Sequence, residues 1–265
     1  MGDAERAEGL VGDPSPRASL AYRLTIAVID TIGRGLFGFR TQVTGRTNLP
    51  HGPDGRVVGG WIAAGLPHRT WVDPFVVAVS LPVEPRLIFV GDGRAIHRSA
   101  WRRWIVRRVG GVIPIWPGGD RATIGTYVAA AAAALDAGAI LCLFPEAGPA
   151  TPPGTARPLG SGLAYFAIRT DAPIVPIVLG GTHELYRGRR FRVDILTPVT
   201  WQALADLPPG TDPPAPWSSG ERRIARRVTV ALHGQTARAV EMAHVAVEPD
   251  PGTRKRWRWL TTAWH

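Results

Sequence analysis

The chain has 265 residues and a formal charge of +10, from 31 basic against 21 acidic side chains. Hydrophobic residues make up 45% of it, which excludes a disordered chain, and its single cysteine, Cys142, excludes an intrachain disulfide. The charge favours an anionic partner, either nucleic acid, anionic lipid or a phosphorylated substrate, although every basic residue except Lys255 is arginine, a bias that a GC-rich genome alone produces.

Residues 1–17 are polar, read as a flexible tail, and carry no secretory signal. Residues 18–40 form the next unit. Over 18–38, Leu20, Leu24, Ala27, Val28 and Thr31 fall near one helical face. Two readings stand: a helix packed on the domain, or an interfacial membrane anchor with its arginines at the headgroups. Arg23, Asp30 and Arg34 interrupt the apolar run before it reaches the roughly 18 residues of a membrane span.

From 41 to 204, strands and helices alternate. "RVVGGWIAAG", "RLIFVG", "VIPIW", "AILCLF" and "PIVPIVLGG" read as strands, and "FRVDILTPV" as a further strand at a sheet edge. "SAWRRWIVRRVGG" reads as a basic helix, either a solvated face or a contact for anionic lipid or CoA phosphates. "DRATIGTYVAAAAAALDAG" is a helix that Asp120 caps and Gly138 ends, and "SGLAYFAIRTDA" is a shorter one. The alternation predicts an α/β fold with a mostly parallel or mixed central sheet flanked by helices. Residues 205–265 then supply a Pro-rich loop, a charged helix and a basic tail containing Trp257, Trp259 and Trp264. Tryptophan beside cations suits a membrane interface, and a loose surface tail is the other reading.

No metal-binding, P-loop, dinucleotide or nucleophile-elbow motif is present. What remains is positional, because ligands of open α/β sheets sit beyond the carboxyl ends of strands. His68 follows "WIAAG", and Glu146 follows "AILCLF". Asp73 stands five residues after His68 and before Pro74, as a helix N-cap would. With His68 in the loop, a free carboxylate oxygen of Asp73 fixes the imidazole tautomer and leaves the other nitrogen as a base. Spacing equally allows a surface histidine beside an ordinary cap. Cys142, inside an apolar run, reads as a core residue.

"GLPHRTWVDPFVV" resembles the H-x-x-x-x-D block of the glycerolipid acyltransferases, the lysophosphatidate acyltransferase family. "VTGRTNLP", "GGVIPI", "LFPEAGPAT" and "APIVPIVLGG" resemble that family's flanking and later blocks, in order, over about 40–200. The resemblance implies His68 as the base that deprotonates an acceptor hydroxyl, with Asp73 as its orienting partner. It implies that Glu146, with Pro145 before it, positions the acceptor, and it matches Pro176 to the fourth block's proline. It further implies acyl-CoA or acyl carrier protein as co-substrate, no bound cofactor or metal, and work at the cytoplasmic face of a membrane on a lipid acceptor, without nucleic acid. Two arginines expected to grip an acceptor phosphate are replaced by Pro117 and Pro149. Arg121 and Arg157 are the candidate substitutes. The replacement also admits a rival reading, a lipid-binding protein that keeps the fold without catalysis.

Overall fold

The computed structural model describes residues 15–94, 111–116, 118, 120–147, 151–250 and 252–262. Most of the basic helix read at 99–111, together with Pro117, Pro149 and Trp264, lies outside them. A helix α1 (Leu20–Gly35) opens the fold, capped by the Ser19 hydroxyl, which accepts the Tyr22 N–H at 3.1 Å. Strand β1 (Arg40–Thr44), strand β2 (Trp61–Leu66), helix α2 (Asp73–Ser80), and strands β3 (Leu87–Asp92) and β4 (Val112–Ile115) follow. Helix α3 (Arg121–Asp136) starts at the predicted cap, where the Asp120 carboxylate accepts the Thr123 N–H at 2.8 Å. It ends where Gly138 takes the left-handed conformation, with φ of 87°. Strand β5 (Ile140–Leu143), helix α4 (Gly162–Thr170), strands β6 (Ile174–Gly180) and β7 (Arg190–Ile195), the short helix α5 (Trp201–Leu204) and the long helix α6 (Ser219–Val245) complete the layers.

The seven strands form one mixed sheet in the order β1-β7-β6-β2-β5-β3-β4. Strands β2 to β6 run parallel, β7 pairs antiparallel with β6, and β1 pairs parallel with β7. The predicted α/β class holds, but β7 is not an edge strand. The edge is β1, whose "RTQVT" is too polar and too exposed to show an apolar alternation. The central strands are buried on both faces, as parallel strands between helices must be. On β2, Ile62 and Ala64 enter the core under α3, α4 and α6, while Trp61 and Ala63 enter the opposite core under α1 and α2. Cys142 faces that second core, and burial pushes its thiol up, so it acts as a small apolar side chain.

Helix α6 packs Ala225, Val228 and Leu232 into the main core. Two other expectations change. Of the predicted tail 1–17, residues 15–17 are pinned, since the Pro16 carbonyl accepts the Arg86 N–H at 2.9 Å. The C-terminal segment is also fixed: Leu260 is buried, Trp71 Nε1 donates to its carbonyl at 2.9 Å, and Glu184 pairs with Lys255 and Arg258.

Helix α1 shows its predicted face to solvent. Leu20, Leu24, Val28, Ile32 and Leu36 recur every four residues and are 44–72% exposed, whereas Tyr22 and Ile26 face the domain. Among the described residues no helix is long and apolar enough to cross a membrane.

Candidate active site

Strands β2 and β5 are parallel neighbours, with Ala64 paired to Leu143. Their carboxyl ends therefore lie side by side, and the residues just beyond each meet. His68, two residues past β2, donates its backbone N–H to Oε2 of Glu146, three residues past β5, at 3.0 Å. The sequence placed both groups at this rim, and the register explains why they touch.

His68 Nδ1 lies 2.9 Å from Asp73 Oδ2. The same oxygen accepts the backbone N–H of Arg69 at 2.6 Å and of Thr70 at 2.7 Å. Asp73 is not the helix cap predicted above. It is the first residue of α2, Val72 holds the cap position without a side-chain bond, and Pro74 follows. A turn closed by Asp73 N–H to the Thr70 carbonyl folds the carboxylate back under the preceding loop. The carboxylate nevertheless reaches the imidazole. His68 Nδ1 and two backbone N–H groups converge on its Oδ2 oxygen, a geometry in which an Nδ1–H would leave the Nε2 lone pair free. The carboxylate is fully buried, while the imidazole side chain is 45% exposed. One partner is locked and the other faces out.

The imidazole lies against the Phe144 ring, with centroids 4.5 Å apart. That ring occupies the space over Gly65, where a Cβ would come within 2.5 Å of it. Glycine at 65 thus lets the aromatic residue that precedes Pro145 form the floor of the site. The Thr70 hydroxyl donates to the Thr182 carbonyl at 2.9 Å and ties the turn to the end of β6.

The Glu146 side chain is 3% exposed and spends its oxygens on main chain: Oε2 on His68 N–H and Oε1 on Arg157 N–H at 3.3 Å. Pro145 accepts the Gly160 N–H through its carbonyl at 2.7 Å. Arg157 Nε sits 3.9 Å from Glu146 Oε2 and is buried without a hydrogen-bond partner. Arg157 therefore joins the group around His68. Arg121 does not, because it is exposed with its guanidinium 5.9 Å from the Trp217 ring, beside α4 and α6. Pro176 lies within β6, paired to Ala64 of β2. The sequence reading missed Arg69, which lies on no periodic pattern, and took Phe144 only as the end of an apolar strand. Their signal was adjacency to His68 and Glu146.

Behind α2 lies an apolar cavity of about 200 Å³ between α1 and α2, walled by Ile29, Ile32, Phe37, Phe39, Phe75 and Val76. Trp71 and Val72, from the turn between His68 and Asp73, also line it. Ile32 belongs to the exposed stripe as well, so the cavity opens beside that face.

On the other side of the turn, His183 stands edge-on to His244, 4.9 Å between centroids. Burial, then the charges of Arg189 and His244, push its pKa down to about 4. An unfolded histidine titrates near about 6.5, so between these values the unfolded chain binds more protons. Stability should therefore fall as pH drops from 6.5 towards 4, by roughly 1–3 kcal/mol. Urea unfolding across that window measures it, and His183→Gln should flatten the slope.

The acyltransferase family model matches residues 40–180, which spans β1 to the end of β6 and holds His68, Asp73 and Glu146. Among curated proteins none matches. Among solved structures, the 1-acyl-sn-glycerophosphate (LPA) acyltransferase PlsC from Thermotoga maritima is similar in fold, with a TM-score of 0.54 and 17% identity over 87% of this chain and 83% of that one. The matched segment covers more than half of the sequence, and the chain belongs to the acyltransferase family.

Proposed function

We propose that this acyltransferase moves a fatty acyl group from an acyl-CoA or acyl carrier protein thioester to the hydroxyl of a lysophospholipid or glycerolipid-like acceptor. The observation that carries this reading is the 2.9 Å contact between His68 Nδ1 and the buried Asp73 carboxylate, beneath an exposed imidazole. Nε2 takes the acceptor's hydroxyl proton as its oxygen attacks the thioester carbonyl. Asp73 stabilises the imidazolium that forms. The tetrahedral intermediate then expels the thiolate, which recovers the proton from Nε2. An ester and a free thiol result, with no covalent enzyme intermediate.

The fatty character of the substrate is supported by the apolar cavity that begins at Trp71 and Val72. Arg157 is the arginine at the site best placed for an acidic acceptor headgroup. The enzyme works at a membrane surface. The exposed stripe of α1 lies on the leaflet, and Trp257 and Trp259 of the C-terminal segment, 39% and 61% exposed, add an interfacial contact among arginines. Trp257 meets Phe37 edge-on at 6.4 Å, which joins the two pieces into one face.

Two measurements test this reading. Purified protein given each thioester donor with a panel of lysolipids should release thiol only when a hydroxyl acceptor is present, with the ester product identified by mass spectrometry. Absence of release for every pair, or equal release without acceptor, would refute the transfer. For the surface, Leu24→Asp with Val28→Asp should cut flotation with anionic liposomes by about tenfold or more, each side chain being worth about 1.5–3 kcal/mol when buried. Unchanged flotation would remove α1 from the contact.

A further inference from the structure

The chain beyond Glu146 makes an excursion that returns at Arg157. Its base is zipped: Glu146 bridges Leu159, Ala147 N–H donates to the Pro158 carbonyl at 2.9 Å, and Gly160 N–H donates to the Pro145 carbonyl at 2.7 Å. Its far arm, residues 151–155, has no strand or helix to hold it. One side chain gathers it. Arg69 Nη1 donates to the Thr151 carbonyl at 2.8 Å, and Nη2 donates to Thr151 Oγ1 at 3.0 Å, to the Pro152 carbonyl at 3.4 Å and to the Thr155 carbonyl. The Arg69 backbone N–H meanwhile donates to the Asp73 oxygen that holds His68. Arg69 therefore ties the excursion to the catalytic turn through a single residue.

The opposite side of the arm is shaped for the same seat. Gly154 has φ of 79°, and a Cβ there would come within 2.6 Å of the His244 ring. The arm is pressed between Arg69 and the end of α6. A planar guanidinium can reach several oxygens at fixed angles, and an ammonium cannot. Burial lowers the pKa of Arg69, and the Glu146 carboxylate opposes that fall.

We propose that Arg69 is a positioning residue that latches the 151–155 arm against the His68 turn and so sets the acceptor side of the site. It is not itself an acceptor-binding residue, because carbonyls and a hydroxyl already occupy its Nη groups. The inference rests on the acyl-transfer reading for its kinetic part and on geometry alone for its structural part.

The experiment combines hydrogen exchange with kinetics on the full-length chain, comparing wild type with Arg69→Ala, Arg69→Lys and Thr151→Val. In Arg69→Ala, amide exchange should rise by about tenfold or more in 151–157, with the β-sheet unaffected. The KM for the lysolipid acceptor should rise by a similar factor while the KM for the thioester donor stays within twofold. Arg69→Lys keeps the charge without the fork and should fall between wild type and alanine. Thr151→Val removes one acceptor without touching Arg69 and should shift both readouts the same way by less, which keeps the test open if Arg69→Ala fails to fold. Unchanged exchange in 151–157 would overturn the latch. Raised exchange with both KM values altered equally would overturn its acceptor-side role. Raised exchange in a protein whose wild type shows no transfer would leave the latch standing and refute the acyl-transfer reading.

Discussion

Replacing His68 with alanine is expected to lower turnover by about 10²–10⁴-fold, the usual worth of a positioned general base. The midpoint of thermal unfolding should barely move, because the imidazole is 45% exposed and its one strong polar contact is to Asp73. Asp73→Ala should lose activity to a similar degree and also lose stability. Its Oδ2 holds the Arg69 and Thr70 N–H groups in addition to the ring, and each buried donor left unpaired costs about 1–3 kcal/mol. Asp73→Asn keeps the volume but removes the charge that stabilises the imidazolium, so it should lower turnover more than it lowers stability. Steady-state kinetics paired with denaturant titration separate the three variants. Equal loss of stability in His68→Ala and Asp73→Ala would mean that the ring is a packing element rather than a base.

The largest stability effect is expected far from that site. Arg169, at the end of α4, pairs bidentately with Glu221 in the first turn of α6, at 2.6 and 3.0 Å. Their side chains are 10% and 0% exposed. The Trp217 N–H donates to the same carboxylate at 2.5 Å, and the Trp217 ring covers the guanidinium with 4.0 Å from its centroid to Cζ. Burial pushes the Glu221 carboxyl up, but the Arg169 hydrogen bonds and the Trp217 N–H outweigh it and hold it below the ordinary range. Removing one partner strands a buried charge, so Glu221→Ala or Arg169→Ala should each cost about 3–5 kcal/mol in urea unfolding. Replacing both with apolar residues of similar size should cost less than either single change. Because the folded carboxyl titrates below the unfolded one, the pair's contribution is complete above the ordinary carboxylate range. It disappears as pH falls through the depressed folded value.

The sequence was readable wherever burial was two-sided or a cap was explicit. Strands β2, β5 and β6 announce themselves as unbroken apolar runs, and Asp120 and Gly138 bound α3 where expected. Strand β1 did not, since a polar edge strand has no period-two apolar signal, and β7 was therefore expected at the edge. The rim position of His68 and Glu146 followed from the parallel alternation. The contact between Asp73 and the imidazole was expected, but the backbone N–H groups that share each carboxylate could not be read. Asp73 looked like a cap because its place before Pro74 is that of a cap, and only the Thr70–Asp73 turn sends it backwards. Glu146, which the resemblance assigns to positioning the acceptor, also accepts two backbone N–H groups that no spacing announces. Arg121 and Arg157 were equivalent as cations in a sequence, yet one lies on Trp217 and the other beside Glu146. Helix α1 showed its stripe plainly, but which face it turned to water depended on Tyr22 and Ile26 finding the core.

The proposed acyl transfer requires Asp73 to hold the His68 ring with Nδ1 protonated and Nε2 free to take a proton. Nitrogen-15 NMR of histidine-labelled protein at pH 8, with the His68 signals assigned by their loss in His68→Ala, reads that tautomer directly. A protonated Nδ1 and an unprotonated Nε2 are expected in the wild type, with loss of that preference in Asp73→Asn. An Nε2-protonated ring in the wild type would contradict the proposed transfer.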